Sequence, residues 1–499
     1  MKLHRLLAGA EVAGVTGPTD VEIQSLVYDS RKVTPGAIFF ALRGEKLEGV
    51  EFAEEAVQRG AVAVASEGAR PYGISKEIAW VTLLAGSDRR GLASAAANFY
   101  GHPVETLKLV GVTGTNGKTT TAYLADSILR AAGCTTGLIG TTVYRTPKGS
   151  RTAVNTTPES LDLQQMFAEI RDAGGTHVSL EASSHALAME RLWGCHFAVA
   201  IFTNLTRDHL DYHQTFEEYF AAKRRLFEGT GAGAPEVGVV NADDPYAPQL
   251  NGLARRTMTY GLKSPADLTA KKFALSFEGL EFTAHTPAGN VEVRSPLVGR
   301  INVYNILAAI GAGIALGIPT ARIEAGIANL ELVPGRFERI DEGQPFFVAV
   351  DYAHTDDALR NLIATARELN PSGQIITVFG AGGERDRAKR PLMGEAAGSL
   401  SDLVVLTSDN PRSEDPLRII NDVVVGLQKV NANYRIEPDR EQALAIACDE
   451  ARPGDIVLLA GKGHETYQIL RDRTIEFDDR EKAREILRRK GYLKISAGR

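Results

Sequence analysis

Gly114-Thr115-Asn116-Gly117-Lys118-Thr119-Thr120, directly after the apolar run Leu107 to Val112, is built to hold a nucleoside triphosphate. Glycines let the backbone curl so that successive N–H groups face phosphates, Lys118 supplies a point charge, and the Thr119 hydroxyl can reach a bound Mg²⁺. The general spacing Gly-x4-Gly-Lys would want a glycine at Val112, whereas the nearest are Gly111 and Gly114. The plainer alternative is a Gly-rich strand-to-helix turn carrying an exposed lysine.

Three further segments crowd polar groups behind apolar runs. Glu181-Ala182-Ser183-Ser184-His185 follows a strand-like run, at the sheet edge where open α/β folds place ligands. Glu181 there is either a metal ligand or part of an N-cap cluster. Thr203 to His213 concentrates His209, His213, Asp208, Asp211 and Arg207; such groups suit Mg²⁺ or Mn²⁺, and the lack of cysteine argues against a soft metal. Asp409-Asn410-Pro411-Arg412 follows Leu403 to Leu406, and an arginine at a strand end pairs bidentately with a carboxylate, unless the segment is a type I turn with a solvated Arg412. Lys223, on the expected helix Phe216 to Phe227, reads by default as a solvated face.

The elements that position these residues follow from periodicity. From Leu107 onward short β-branched runs alternate with helical patterns: a strand to Val112, a helix Lys118 to Ala132 closed by Gly133, a strand to Thr142, then strands His177 to Leu180, Ala198 to Phe202 and Val237 to Val240. Asp267 to Val298 alternates like antiparallel hairpins. A second α/β series has strands Phe346 to Val350, Ile375 to Phe379, Leu403 to Leu406 and Ile456 to Leu459, with Pro334-Gly335 at the junction. Before His102-Pro103 lie strands Ile23 to Tyr28, Ala37 to Ala41 and Val62 to Ala65, and a helix Glu51 to Arg59. The fold class is therefore α/β in three domains, 1–104, 105–333 and 334–499: a small N-terminal unit, a central mostly parallel P-loop sheet with an antiparallel annex, and a Rossmann-like C-terminal unit. A chain of 499 residues needs about three cores, since one core stops growing near roughly 250 to 300 residues.

A net charge of −6 argues against a chain-wide basic surface for nucleic acid. Cys134, Cys195 and Cys448 are scattered and odd in number, which disfavours disulfides and structural zinc and fits a reducing cytoplasm. Met1 to Val15 lacks a signal-peptide core, and Ile306 to Ile318, the least polar stretch, is too short for a membrane span and reads as a packed helix.

Taken in order, Gly114–Thr120, Glu181–His185, Asn204–His213, Lys223, Asn302–Asn305 and Asp351-Tyr352-Ala353-His354 resemble the Mur ligases, ATP-dependent amide-bond enzymes of peptidoglycan precursor synthesis. The resemblance covers nearly the whole chain and implies a cytoplasmic monomer. It implies that Lys118, Glu181, His209 and Lys223 are catalytic, that Thr119 and Glu181 help bind one Mg²⁺, and that His209 and a carbamate on Lys223 hold a second. ATP would meet Gly114 to Thr120, with Asn302 and Asn305 near the adenine and Arg336 and Asp351 completing the site on domain closure. For Asn302 and Asn305 the alternative is an asparagine-capped helix start. The N-terminal unit would bind uridine through Ser30 in Asp29-Ser30-Arg31, Asn155, Thr156 and Thr157 would meet the pyrophosphate and sugar, and Ser183 and Arg191 the muramoyl peptide, Arg191 being otherwise a surface charge.

Within the family, Asp409-Asn410-Pro411-Arg412 resembles the motif of diaminopimelate-adding members, with Arg385, Gly461 and Glu465 as further amino-acid contacts. The implied reaction joins meso-diaminopimelate to UDP-N-acetylmuramoyl-L-alanyl-D-glutamate while ATP becomes ADP and phosphate. A lysine-adding or folate-polyglutamylating relative is the nearest alternative, and a P-loop switch NTPase one from another class. Ala381, Glu384 and Asp356 depart from the usual Cys, Asp and Pro, and Met189 and Glu45-Lys46 stand where relatives carry other substrate contacts.

Overall fold

The computed structural model describes residues 1–44, 47–330 and 332–493; Glu45-Lys46 lie outside them. Three sheets form three units. In the first, five strands run in the order Val12–Thr16, Ala79–Leu83, Ala63–Ser66, Ala37–Phe40, Ser25–Val27. The first and second of these strands, and the helix Asp88–Tyr100, were not legible in the sequence. That helix packs a face of Gly91, Leu92, Ala93, Ala95 and Ala96, small residues that give almost no apolar periodicity.

The central sheet has eight strands in the order Arg256–Tyr260, Val237–Asn241, Phe197–Phe202, Lys108–Thr113, His177–Glu181, Thr136–Ile139, Val143–Thr146, Gly149–Thr152. The first six are parallel, so their carboxyl ends share one edge. The strand expected to reach Thr142 stops at Ile139, because the backbone turns at Gly140 and Thr141 to start an antiparallel return. Helices Lys118–Ala131 and Arg300–Ala315 cover one face with Ile128, Ile306, Leu307 and Ile310 against Val110, Val112 and Ile201. The annex is a separate antiparallel sheet, Thr269–Ser276, Gly279–Thr286, Gly289–Ser295.

The third sheet runs Glu338–Ile340, Phe347–Asp351, Ile456–Ala460, Ile375–Phe379, Leu403–Leu406, Tyr434–Ile436, parallel except for its first strand. All the C-terminal strands expected from the sequence are present. Among the described residues no helix is long and apolar enough to cross a membrane, and the three cysteines are free.

Candidate active site

Two cavities lie where the central and C-terminal sheet edges face one another, sharing Thr141, Thr156, Asp208, His209, Tyr352 and His354 on their walls. The smaller, about 230 Å³, is the phosphate-loop side; it is lined by Thr115 to Thr120, Glu181, Asn302, Asn305, Arg336 and Asp351, but not by Gly114. Gly117 has φ +88°, a left-handed backbone that favours glycine, and a Cβ there would sit 2.4 Å from Asn305 Oδ1. The loop is pinned from the next strand: Thr115 N–H donates to Asn204 O (2.8 Å) and Asn116 N–H to Asn204 Oδ1 (2.9 Å). Lys118 folds over it, donating to the carbonyls of Gly114 and Thr115 at 3.1 and 2.8 Å.

Asn302 and Asn305 do not cap their helix, whose N-cap is Gly299. Asn302 Nδ2 instead donates to Val298 O (2.7 Å) and Asn305 Nδ2 to Asn302 Oδ1 (2.9 Å), which fixes both amides along the cavity wall. Arg336 crosses from the C-terminal unit, donating to Thr119 Oγ1 at 3.1 Å and stacking 4.7 Å over Tyr352. Asp351 accepts from the N–H groups of Phe337 and Ala353, each at 2.8 Å; burial pushes its carboxyl up despite Arg336 nearby.

Glu181 is 1% exposed. Its oxygens accept from Thr141 N–H (2.8 Å) and Thr141 Oγ1 (3.1 Å), and among the described residues it has no ion pair. Ser183, not Glu181, caps the short helix that follows, accepting from Ala186 N–H at 3.2 Å. Lys223 departs most from its default reading: its side chain is 1% exposed, and Nζ donates to Gly114 O at 2.7 Å while lying 4.3 Å over the Tyr219 ring. Burial, reinforced by Lys118, drives its amine well below the ordinary lysine range. The His209 ring lies 6.1 Å from the same Tyr219 ring, and burial likewise pushes His209 well below its usual value.

The larger cavity, about 770 Å³, is lined by Asn155, Thr156, Arg385, Asp409, Asn410, Arg412, Gly461 and Glu465. Arg412 is not a solvated turn residue. It sits at φ +53° with Nη1 donating to Gly383 O at 2.7 Å. Burial first, then Arg385, lowers its pKa against the opposing pull of Asp409, Glu465 and Glu384, so a carboxylate arriving in the cavity would meet a half-buried guanidinium. Opposite in charge, Glu465 accepts from Asn410 Nδ2 at 2.9 Å. Pro411 shapes the turn without lining the cavity.

Residues 112–313 match the Mur ligase middle domain, 335–463 the Mur ligase glutamate ligase domain, and 22–99 the Mur ligase family catalytic domain. The chain is 55% identical over 495 residues to the UDP-N-acetylmuramoyl-L-alanyl-D-glutamate--2,6-diaminopimelate ligase of Solibacter usitatus (strain Ellin6076), covering 99% of each. The chain belongs to the Mur ligase family. It is similarly 46% identical to the ligase of the same name from Geobacillus thermodenitrificans (strain NG80-2), covering 97% of this chain and 99% of the relative. A solved UDP-N-acetylmuramoyl-L-alanyl-D-glutamate--2,6-diaminopimelate ligase superposes with a TM-score of 0.67 at 34% identity, covering 99% of this chain and 100% of that one.

Not every residue expected of a Mur ligase site meets in the two cavities. Thr157, Ser183 and Arg191 form a cluster behind the wall: Thr157 Oγ1 donates to Glu181 O (2.6 Å), Arg191 Nη1 to Thr157 O (3.0 Å), and Arg191 pairs with Glu159 at 3.3 Å. Arg191 is thus no surface charge, and Met189 Sδ lies 3.5 Å from its Nη2. Ser30 lines neither cavity; its hydroxyl donates to Glu55 at 2.8 Å, beside the Asp29–Arg31 pair.

Lys389 and Lys462 of this Mur ligase site went unnoticed in the sequence, and Asp208 and His354 were read there only as members of longer segments. Asp208 is approached from the C-terminal unit by His354 and Lys389, each at 3.7 Å, and from its own by His209 at 3.3 Å. Burial opposes its charge, yet His209, His354 and Lys389 together hold Asp208 well below the carboxylate range. Lys462, fully buried, places Nζ 3.2 Å from Glu465, 3.4 Å from Asn410 and 3.6 Å from Asp409. The lysine inside Gly461-Lys462-Gly463-His464-Glu465 was the available signal, but lysines read as surface until a partner is seen.

Proposed function

We propose that the protein is an ATP-dependent ligase that joins meso-2,6-diaminopimelate to the D-glutamyl side-chain carboxylate of UDP-N-acetylmuramoyl-L-alanyl-D-glutamate, in the cytoplasm, for peptidoglycan precursor synthesis. Residues 1–104 would bind the uridine end, 105–333 ATP, and 334–499 the amino acid. The observation that carries this reading is the meeting of a phosphate-loop cavity with a second cavity bearing Arg412 and Glu465, through shared walls.

The substrate carboxylate attacks the γ-phosphorus of ATP, ADP leaves, and an acyl phosphate forms; two anions must approach, and Lys118 and Arg336 lower that repulsion. The neutral amine of diaminopimelate then attacks the acyl carbon, the tetrahedral intermediate collapses, phosphate departs with the C–O bond, and the nitrogen loses one proton. The C-terminal unit, seated on the phosphate loop through Arg336, excludes water from the hydrolysable intermediate. Arg412 would take the distal carboxylate, the group that lysine lacks, and Glu465 the distal ammonium, which lysine shares.

Magnesium, bound here, would draw negative charge from the phosphoryl oxygens. The side chains fit it: Thr119 and Glu181 offer hard oxygens, Glu181 is buried and among the described residues makes no ion pair, and Mg²⁺ characteristically uses one or two carboxylates together with phosphate oxygens. A carbamate on Lys223 with His209 would form a second position, since a buried neutral amine is the form that adds CO₂.

Purified protein supplied with ATP, Mg²⁺ and UDP-N-acetylmuramoyl-L-alanyl-D-glutamate should release phosphate and form tripeptide product with diaminopimelate and little with lysine. Equal product from the two amines would overturn the substrate assignment. Phosphate release independent of both acceptors would point to a switch NTPase instead.

A further inference from the structure

The amino-acid cavity stands on three loops that leave strand ends: 380–385 after Ile375–Phe379, 407–412 after Leu403–Leu406, and 461–465 after Ile456–Ala460. In the sheet Ile375–Phe379 lies between the other two strands. The roots of the Arg412 loop and the Glu465 loop therefore share no ladder hydrogen bonds, although the pocket needs their side chains at a fixed separation.

Below the contacts that Asn410 and Lys462 make across the pocket, one buried side chain ties the backbones of the two loop roots. Arg440, the first residue of helix Arg440–Glu450, is 2% exposed. Its Nη1 donates to Ser408 O at 3.3 Å and its Nη2 to Ala460 O at 2.9 Å, the two carbonyls immediately before Asp409 and Gly461. The guanidinium also forms a fork on Asp479, Nε to Oδ1 at 2.8 Å and Nη2 to Oδ2 at 2.6 Å, and both side chains of this pair are fully buried. A planar, rigid donor set can serve two carbonyls and a carboxylate at once, which a lysine ammonium on a flexible stem does not reproduce.

There is little slack between these loops. A Cβ on Gly380 would lie 2.5 Å from Thr407 O and 2.7 Å from Asp409 N, so the intervening loop is packed directly on the Asp409 backbone. Displacing either carbonyl anchored by Arg440 would move Asp409, Arg412 or Glu465. Burial opposes the charge of Arg440, and Asp479 first, then Asp409 and Glu465, outweigh it, so the cation also sits in the field of the pocket carboxylates.

We propose that Arg440, oriented by Asp479, is a positioning residue that sets the distance between Arg412 and Glu465 and so selects an amine substrate whose far end carries both an ammonium and a carboxylate. It touches no substrate. The inference rests on the diaminopimelate reading above.

The test compares wild type, R440K, D479N and the charge-free pair R440M/D479L, each checked for cooperative thermal unfolding. In the folded variants KM for diaminopimelate should rise tenfold or more and the preference for diaminopimelate over lysine should fall at least tenfold. KM for ATP and for UDP-muramoyl-dipeptide should stay within twofold. Positional isotope exchange in ¹⁸O-labelled ATP with the dipeptide and no amine, which reports acyl phosphate formation alone, should also stay within twofold. Unchanged diaminopimelate KM and preference in a folded variant would overturn the inference, as would a parallel loss for all three substrates or failure of every variant to fold. Failure of the substrate reading itself looks different: wild type would show no preference for diaminopimelate to lose.

Discussion

Arg336 Nη2 donates to Thr119 Oγ1 at 3.1 Å, so a guanidinium of the C-terminal unit touches the hydroxyl that closes the phosphate loop of the central one. The same C-terminal unit reaches the loop again through Asp357, which accepts from Asn116 Nδ2 at 2.8 Å. On the proposed function, nucleotide binding and placement of the amino-acid pocket would thereby be mechanically linked, since the sheet that carries Arg412 and Glu465 is the sheet seated on the loop.

Arg336→Met should lower kcat by about a hundredfold, the usual loss for one aimed donor at developing charge. The effect on KM for diaminopimelate should be small. Steady-state kinetics at saturating ATP would check it, and an unchanged kcat would remove Arg336 from the reacting centre.

Arg412→Ala should reduce the diaminopimelate-over-lysine ratio of kcat/KM by about tenfold to a hundredfold, the worth of about 1 to 3 kcal/mol for a charge-assisted contact. Competition between the two amines, read by mass of the product, measures that ratio directly. A preserved ratio would place the specificity elsewhere.

Lys462→Met should leave Glu465 and Asp409 without their buried ammonium partner. Removing one side of such a buried cluster costs about 3 kcal/mol or more. Denaturant unfolding should report that loss, together with a higher KM for diaminopimelate; a fully stable variant would show that the cluster tolerates an apolar side chain.

His464 gives a pH dependence with a definite sign. Burial first, then Arg336 and Arg480, lowers it from 6.5 to about 3. Between these values the unfolded chain binds a proton that the folded one does not, so this group's contribution costs stability as pH falls below 6.5, at about 1.4 kcal/mol per unit. His464→Gln should flatten unfolding free energy against pH between 6.5 and about 4. A curve parallel to wild type would mean that His464 titrates normally.

The polar residues crowded at strand ends were legible without coordinates because the short apolar, β-branched runs before them set where each strand stops. The glycines of 114–120 could be read because only they permit that backbone. Lys223 and Lys462 could not be read this way: a lysine's stem suits both a solvated face and a buried socket, and only the neighbours supplied by other elements decide between them. The helix Asp88–Tyr100 was missed because alanine carries little contrast between its faces.

By itself the sequence determined which chemistry was available: a phosphate loop, a carboxylate at a neighbouring strand end, a histidine segment, and an arginine-bearing motif in a second α/β series. Tertiary structure decided which of these groups share a space, burying Lys223 beneath Gly114, carrying Arg336 to Thr119, and leaving Ser30 and Arg191 outside the two cavities. The reason is that separation along a chain does not determine which residues become neighbours once the chain is folded. Desolvation and hydrogen-bond partners, which set what a charged group can do, exist only once the sheets have packed.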